Sequence, residues 1–455
     1  MKKVALHNLG CKVNSYETEA MEQMLKDAGY EIVKFGEEAA DIYIINTCSV
    51  TNIADRKSRQ MLHKAKKLNQ NAIVIATGCY VQAEGSELQL DDAVDIVIGN
   101  NKKTDLLHII EEYENNNAEN SAIIDINKTK EYEELSIHSV CEHTRAYIKI
   151  QDGCNQFCSY CIIPYTRGRV RSRNPELIVK EVKGLVAKGY KEIVLTGIHL
   201  SSYGIDLGDT NLLNLIITLD TIQGLERIRI GSLEPRIITD EFASSISKLE
   251  KVCPHFHLSL QSGCDATLKR MNRRYDTAEY YEKCELLRKY FAHPAITTDV
   301  IVGFPGETDE EFAITKAFLE KVNFYEMHIF KYSRRKGTVA DKMSGQVSEQ
   351  IKTLRSKQLL KLADVMSNEF KKNYIDKYVE VLFEEINNFD GIDYAIGHTK
   401  EYIKVFVNAN DLQIDSNDLS NMEIINSIKT IKVVKILEKN TVLGEFYRKS
   451  IKVEK

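Results

Sequence analysis

Cys154, Cys158 and Cys161 stand in one short run, Gly-Cys-Asn-Gln-Phe-Cys-Ser-Tyr-Cys, with three residues inside the first pair and two inside the second. Each iron that a four-iron cubane anchors to protein needs a thiolate. Three thiolates leave the fourth iron open. An open iron can take a small chelating molecule, which turns an electron carrier into a catalyst. The competing reading is a structural zinc knuckle. Zinc takes a closed four-ligand shell, usually from paired Cys-x2-Cys units, and no His or fourth Cys follows closely here.

A second set of thiols is scattered through the first third of the chain. Apolar strand patterns at 3–7, 42–46, 72–76 and 94–98 alternate with helical stretches, which predicts a parallel α/β sheet over residues 1 to about 130. Asn14 with Glu17 reads as a capping box opening a helix that stops near Gly29. Cys11, Cys48 and Cys79 lie just past the first three strands. In an open parallel sheet the loops at the carboxyl ends of the strands gather on one edge, where ligands bind. Three cysteines far apart in sequence should therefore converge. One such cysteine would read as a small buried hydrophobe. Three in equivalent places read as a second iron–sulfur site with one open iron, with zinc as the alternative. Cys141, Cys253, Cys264 and Cys284 lack this placement and read as packing residues.

The central stretch must position the cysteine loop. Between about 145 and 330 a strand–helix beat repeats six times, with strands at 147–150, 192–196, 227–230, 256–260, 298–302 and 327–330. Six parallel units with right-handed crossovers predict a partial barrel, whose chemistry belongs at the carboxyl strand ends. Those ends carry Gly197, then Gly231, Ser232 and Glu234, then Gln261, then Gly303 and Gly306. Glu234 is placed to accept from ribose hydroxyls. The glycines would let a flat base lie against backbone, although a glycine after a strand is ordinarily only a turn. Arg167, Arg169, Arg171 and Arg173 alternate after the loop and would share one face of an extended segment. They read either as a solvated edge or as a clamp for phosphate or carboxylate. Arg270, Arg273 and Arg274, with Arg334, Arg335 and Lys336, are candidates for an RNA backbone path.

Composition bounds the rest. The chain has 455 residues, ten cysteines and a formal net charge of −5. Any nucleic-acid binding must use local basic patches rather than the global field. No apolar run is long enough to span a bilayer. The amino terminus enters a strand pattern without a signal peptide, so a cytoplasmic protein with reduced, metal-binding cysteines is expected. After a charged amphipathic helix from 348 to about 374, short strands at 378–384, 394–397, 402–408 and 431–437 predict a small β-barrel. Such barrels grip single strands by stacking and charge, or simply cap the fold.

Together these residues resemble the methylthiotransferases, a branch of the radical S-adenosylmethionine (SAM) enzymes, whose loop is Cys-x3-Cys-x2-Cys. The resemblance implies three domains: a methylthiotransferase α/β domain over 1–135, a radical SAM (βα)6 partial barrel over 136–370, and a TRAM-like RNA-binding β-barrel over 371–447. It implies two 4Fe–4S clusters, one on Cys11, Cys48 and Cys79 and one on Cys154, Cys158 and Cys161. The second would bind SAM through its open iron. Gly197, Gly231, Ser232, Glu234, Gln261, Gly303 and Gly306 would contact that cofactor.

Gly10-Cys11-Lys12-Val13-Asn14 looks like the branch acting on threonylcarbamoyladenosine in tRNA. The isopentenyladenosine branch has Gln-Met-Asn after this cysteine and the ribosomal protein S12 branch Pro-Lys-Asn. Ala54-Asp55-Arg56-Lys57-Ser58-Arg59-Gln60, Ile150-Gln151-Asp152-Gly153 and Ser232-Leu233-Glu234-Pro235 also look like the first branch. The implied reaction adds a methylthio group at C2 of the modified adenosine beside the anticodon. That C–H bond is strong and non-acidic, so acid–base or nucleophilic side chains would not serve, and the cofactor supplies a 5′-deoxyadenosyl radical. The partners implied are tRNA, SAM and a reducing donor such as flavodoxin or ferredoxin, with no membrane. The same chemistry on isopentenyladenosine or on ribosomal protein S12 is the nearest alternative. A non-catalytic metal-containing RNA-binding protein is the alternative of another class.

Overall fold

A computed structural model of the chain describes residues 1–115, 121–138, 144–412, 424–437 and 441–446. Cys141 lies outside them. The first unit runs β1 (Lys3–Asn8), α1 (Lys12–Asp27), β2 (Glu31–Ile32), β3 (Ile42–Thr47) and α2 (Asn52–Leu68). It continues through β4 (Ile73–Gly78), α3 (Cys79–Leu88), β5 (Ile96–Ile98), α4 (Leu106–Glu114) and β6 (Ser121–Ala122). The sheet order is β2-β1-β3-β4-β5-β6, with every pair parallel. All six residues of β3 are buried, as expected of a central parallel strand covered on both faces. Thus β1, β3 and β4, the strands that precede the three scattered cysteines, are neighbours.

The second unit runs β7 (Arg145–Asp152), α5 (Ile163–Thr166), β8 (Arg171–Ser172), α6 (Pro175–Ala187), β9 (Glu192–Gly197), α7 (Leu212–Asp220) and β10 (Arg227–Ile230). Then come α8 (Asp240–Ile246), β11 (His255–His257), α9 (Asp265–Arg270), α10 (Thr277–Tyr290), β12 (Ala295–Val302), α11 (Asp309–Val322) and β13 (Glu326–Lys331). Asn174 caps α6 by accepting from the Glu176 and Leu177 amides, with Pro175 in the first turn. Strands β10-β9-β7 and β11-β12-β13 form two parallel sheets. Parallel bridges Ile228↔Val252 and Leu233↔Leu258 join them into one arc of six strands. Ile148, Leu195, Ile228, Phe256 and Ile296 share its core with the surrounding helices.

Helix α12 (Glu349–Lys372), capped by Ser348, leads into β14 (Tyr378–Phe389), β15 (Ile392–His398), β16 (Lys404–Asn408), β17 (Ile428–Ile436) and β18 (Thr441–Phe446). These close as β14-β15-β16-β18-β17. Strand β18 is absent from the sequence reading. Its Gly444 weakens the strand signal, yet a Cβ there would lie 2.3 Å from Ile431 Cγ2, so close packing in the barrel requires the glycine.

The first two units are joined by buried charge. Glu17 meets Lys149 at 2.7 Å, Arg167 at 2.8 Å and Lys103 at 3.2 Å, and Asp152 meets Lys149 at 2.7 Å and Arg167 at 3.1 Å. This corrects the capping-box reading of Asn14 and Glu17. Helix α1 has Cys11 at its N-cap with no side-chain cap, and both polar residues turn toward the barrel instead. A second clamp joins Arg335, beyond β13, to Asp55 at 2.5 Å and to Asn52 and Ser49 at 2.8 Å. The third unit docks on the start of β10. Arg227 donates to the carbonyls of His398 and Glu380, and Arg229 to those of Lys400 and Thr399.

Candidate functional site

The loops after β1, β3 and β4 bring Cys11, Cys48 and Cys79 together. Gly78 sits at φ 97°, and a Cβ there would lie 2.5 Å from the Thr47 carbonyl oxygen, so only glycine lets β4 turn directly into Cys79. A Cβ on Gly10 would lie 3.2 Å from that of Cys48. Asn14 stitches the loops. Its amide donates to the Thr47 carbonyl at 3.0 Å, and its Oδ1 accepts from the Cys11 thiol at 3.7 Å and from Arg167 at 2.7 Å. Arg167 Nε donates to Cys79 Sγ at 3.2 Å. Burial, reinforced by Cys79, pushes the Cys48 thiol up to about 12.

The barrel triad is fixed by backbone bonds. The Cys154 amide donates to the Gly168 carbonyl at 3.0 Å, and the Cys161 amide to that of Cys158 at 2.9 Å. Phe157 takes φ 51° to close the turn. The Gln156 amide donates to Cys154 Sγ at 3.4 Å. Arg273 Nη1 donates to Cys158 Sγ at 3.2 Å while its Nε donates to Tyr275 Oη at 3.0 Å. Burial pushes Cys154 up to about 11 and Cys161 to about 12.

Neither triad is gathered around a single ion. Thiolates on one tetrahedral zinc stand about 3.8 Å apart, given Zn–S of about 2.3 Å. Among the described residues no three cysteine thiols lie mutually within 4.8 Å. Hydrogen-bond donors point at the sulfurs of Cys79, Cys154 and Cys158.

The strand-end residues take several roles. Gly231 donates to the Leu195 carbonyl at 3.0 Å, and Cβ atoms on Gly231 and Gly197 would crowd the Leu195 and Gln151 carbonyls. These two glycines, followed by Ser232, let β7, β9 and β10 end close together. Glu234 is largely buried, and burial raises its carboxyl pKa against the pull of Arg236 and Arg273. Arg273 thus lies between Glu234 and Cys158. Gln261, at φ 71°, bridges Asp299 and Ile301 of β12. Gly303 and Gly306 form the turn after β12 and pack toward Lys352 of α12 and Gly345.

Some residues were not singled out from sequence. His199 follows β9, with its amide on Gln151 Oε1 at 2.7 Å and its ring on Ser202 Oγ at 2.6 Å. Burial, then Arg273, lowers its pKa to about 4. A histidine two residues past a strand-end glycine was the available signal. Tyr160, between Cys158 and Cys161, lines a cleft of about 270 Å³ with Val50, Thr51, Gln261, Asp299 and Phe330. Val50 and Thr51 follow Cys48, so this cleft reaches both cysteine loops.

The arginine series is neither a solvated edge nor a shared clamp. Arg167, Arg171 and Arg173 are buried. Arg167 and Arg171 face Asp152, Arg173 pairs with Glu134 and Glu181, and only Arg169 is exposed, over the Phe157 ring. The chain bends through Gly168 and β8 rather than staying extended, so the alternation does not make one face. The proposed RNA path is also altered. Arg270 pairs with Glu311, Arg273 serves Cys158, Arg334 pairs with Asp341 and Arg335 with Asp55. Cys253, Cys264 and Cys284 are buried packing residues.

Residues 3–99 match an uncharacterized protein family, UPF0004, and residues 148–319 match the radical SAM superfamily. The threonylcarbamoyladenosine tRNA methylthiotransferase MtaB of Bacillus subtilis is 43% identical over 407 residues, covering 89% of this chain and 90% of that relative. This chain belongs to the radical SAM methylthiotransferase family. Another methylthiotransferase, MtaB of Aquifex aeolicus, is 42% identical over 85% of this chain and 93% of its own length. The tRNA-2-methylthio-N(6)-dimethylallyladenosine synthase of Thermoanaerobacter pseudethanolicus is 38% identical over 85% of this chain and 83% of its own. In fold, the chain is similar to the radical SAM methyltransferase TsrM of Kitasatospora setae, with a TM-score of 0.57 at 14% identity over 74% of each chain. The methylthiotransferase carries a 4Fe–4S cluster and uses SAM, as its superfamily does.

Proposed function

We propose that this protein adds a methylthio group to C2 of N6-threonylcarbamoyladenosine at position 37 of tRNA. The observation that carries this reading is one cleft lined by the loops of both cysteine triads, in a chain 43% identical to a relative of that named activity. Two 4Fe–4S clusters and SAM, when bound, supply the radical, sulfur and methyl chemistry.

The chain's own residues bind, orient and exclude water. Cys154, Cys158 and Cys161 hold the SAM-binding cluster, and Cys11, Cys48 and Cys79 hold a second one. Glu234 accepts from the SAM ribose, while Gly197, Gly231, Ser232, Gln261, Gly303 and Gly306 shape the strand ends around it. Tyr160 and Phe330 offer aromatic surface for the base. The organisation that fits is an α/β domain over 1–135, a barrel over 136–370 and an RNA-gripping β-barrel over 371–447. A low-potential donor such as flavodoxin or ferredoxin provides electrons. The cytoplasm is the compartment that matches a tRNA substrate and reduced thiols. Among the described residues no helix is long and apolar enough to cross a membrane.

The test is mass spectrometry of tRNA nucleosides from a deletion strain, paired with reconstituted protein and matched tRNAs. Loss of the methylthio form of threonylcarbamoyladenosine, restored by the protein, is expected. Loss only of the methylthio isopentenyl form would move this protein to the branch of its 38% identical relative.

A further inference from the structure

Inside the barrel arc, three adjacent strands turn polar side chains toward one point. The half-buried His257 of β11 and Asp299 of β12 and the exposed His328 of β13 bring one ligand atom each to within 4.8 Å of one another. His257 Nδ1 faces Thr297 Oγ1 at 3.0 Å, and its Nε2 faces Asp299 at 3.3 Å. Asp299 also lines the cleft between the cysteine loops, so the cluster stands at the foot of that cleft. One pleat further down β11, His255 is buried and its Nδ1 has no hydrogen-bond partner. A polar cluster with an unsatisfied buried nitrogen calls for a polar occupant.

Lys12, the first residue of α1, is exposed and stands near this cluster. It lies within electrostatic reach of Arg145, Arg229, His255 and His328. The two arginines are already engaged. Arg145 pairs with Glu384 at 3.0 Å, and Arg229 with Glu192 at 2.8 Å and with the Lys400 carbonyl. Among the described residues no recorded hydrogen bond or ion pair engages the Lys12 ammonium. Lys12 near His255 and His328, and Arg229 near His255, oppose a metal cation there and favour an anion.

We propose that this cluster is a carboxylate-recognition site built on Lys12, in which Asp299, His257 and His328 take the neutral polar groups of the same ligand. The proposal rests on the function proposed above and deepens it. A threonylcarbamoyl group carries a carboxylate, a hydroxyl and ureido N–H groups. Lys12 pairs with the carboxylate. Asp299 accepts from N–H or O–H, and an imidazole donates. An isopentenyl group offers only apolar surface and leaves Lys12 uncompensated.

The experiment uses reconstituted full-length protein. It compares tRNA bearing threonylcarbamoyladenosine with the same tRNA whose threonyl carboxyl is a methyl ester. Wild type is expected to prefer the acid about ten- to a hundredfold in kcat/KM, the range of a charge-assisted hydrogen bond. Lys12→Gln should abolish that preference and Lys12→Arg should keep most of it. Because Lys12 adjoins Cys11, calorimetric Kd values for the two free nucleosides provide a readout independent of turnover. They should show the same loss in Lys12→Gln and a weaker effect in Asp299→Asn. A wild type that prefers the acid while Lys12→Gln keeps the preference overturns the site and leaves the function standing. Stoichiometric zinc held by wild type and lost in the His257→Ala, His328→Ala double variant also overturns it. A wild type acting only on isopentenyladenosine tRNA removes both readings.

Discussion

Arg167 and Cys79 come from different units of the molecule, yet Arg167 Nε lies 3.2 Å from Cys79 Sγ. The same guanidinium meets Glu17 at 2.8 Å and Asp152 at 3.1 Å. Asp152 in turn accepts from the Gly153 amide at 2.8 Å, immediately before Cys154. One buried arginine therefore touches a cysteine of the first triad and is braced at the root of the second.

Hydrogen bonds and positive charge at ligand sulfur raise a cluster's potential. Arg167→Gln is expected to lower the midpoint potential of the cluster on Cys11, Cys48 and Cys79, read by EPR-monitored redox titration. It should also destabilise the fold by about 3–5 kcal/mol, the range for breaking a buried ion pair. Arg167→Lys keeps the charge and should lose less of both. An unchanged potential in Arg167→Gln would make the arginine structural only.

The two triads should load independently. Wild type is expected to hold about eight irons, by cubane stoichiometry. Replacing Cys154, Cys158 and Cys161 with Ala should halve the iron and abolish SAM cleavage. Replacing Cys11, Cys48 and Cys79 should halve the iron while SAM is still cleaved without methylthio product. Iron analysis decides the matter, and loss of all iron in either variant would count against two sites.

Glu234→Gln is expected to raise the Kd for SAM several-fold with iron content unchanged, because an amide accepts from two ribose hydroxyls less well than a carboxylate. Equilibrium dialysis with labelled SAM measures this. Equal affinity in the variant defeats the assignment.

His199 gives a pH dependence whose sign follows from its environment. Its folded pKa of about 4 lies below the ordinary 6.5. Between those values the unfolded chain binds the extra proton, so this contribution is complete above pH 6.5 and is lost as pH falls toward 4. Urea unfolding of the cluster-free protein at pH 7.5 and 5.0 should show a smaller drop in His199→Asn than in wild type. An equal drop would place the titration elsewhere.

The sheet, the partial barrel and the closed β-barrel were legible because periodicity and strand-end glycines report local geometry. The loop triad was legible because its cysteines stand in one short run, and the scattered triad because each cysteine follows a strand of one parallel sheet. The arginines misled for a physical reason. Arg167 and Arg173 choose partners such as Glu17 and Glu181 from other elements, and no local pattern encodes a tertiary ion pair. The Asn14–Glu17 spacing mimics a capping box for the same reason. Lys12, His257, Asp299 and His328 come from four elements, and only the closing of the barrel brings them near one another.

The ring of Tyr402 lies in the third unit, yet the guanidinium carbons of Arg145 and Arg229 stand 5.0 and 4.7 Å from its centre, and the ring stacks on His398 at 4.5 Å. The terminal barrel is thus a stopper in the floor of the partial barrel. Cutting the chain before Tyr378 would open that floor to water, leave Arg145 without Glu384, and take the carbonyl acceptors from Arg227 and Arg229. Floor and walls are consequently inherited as one piece, and a tail borrowed from another protein would have to reproduce the plug.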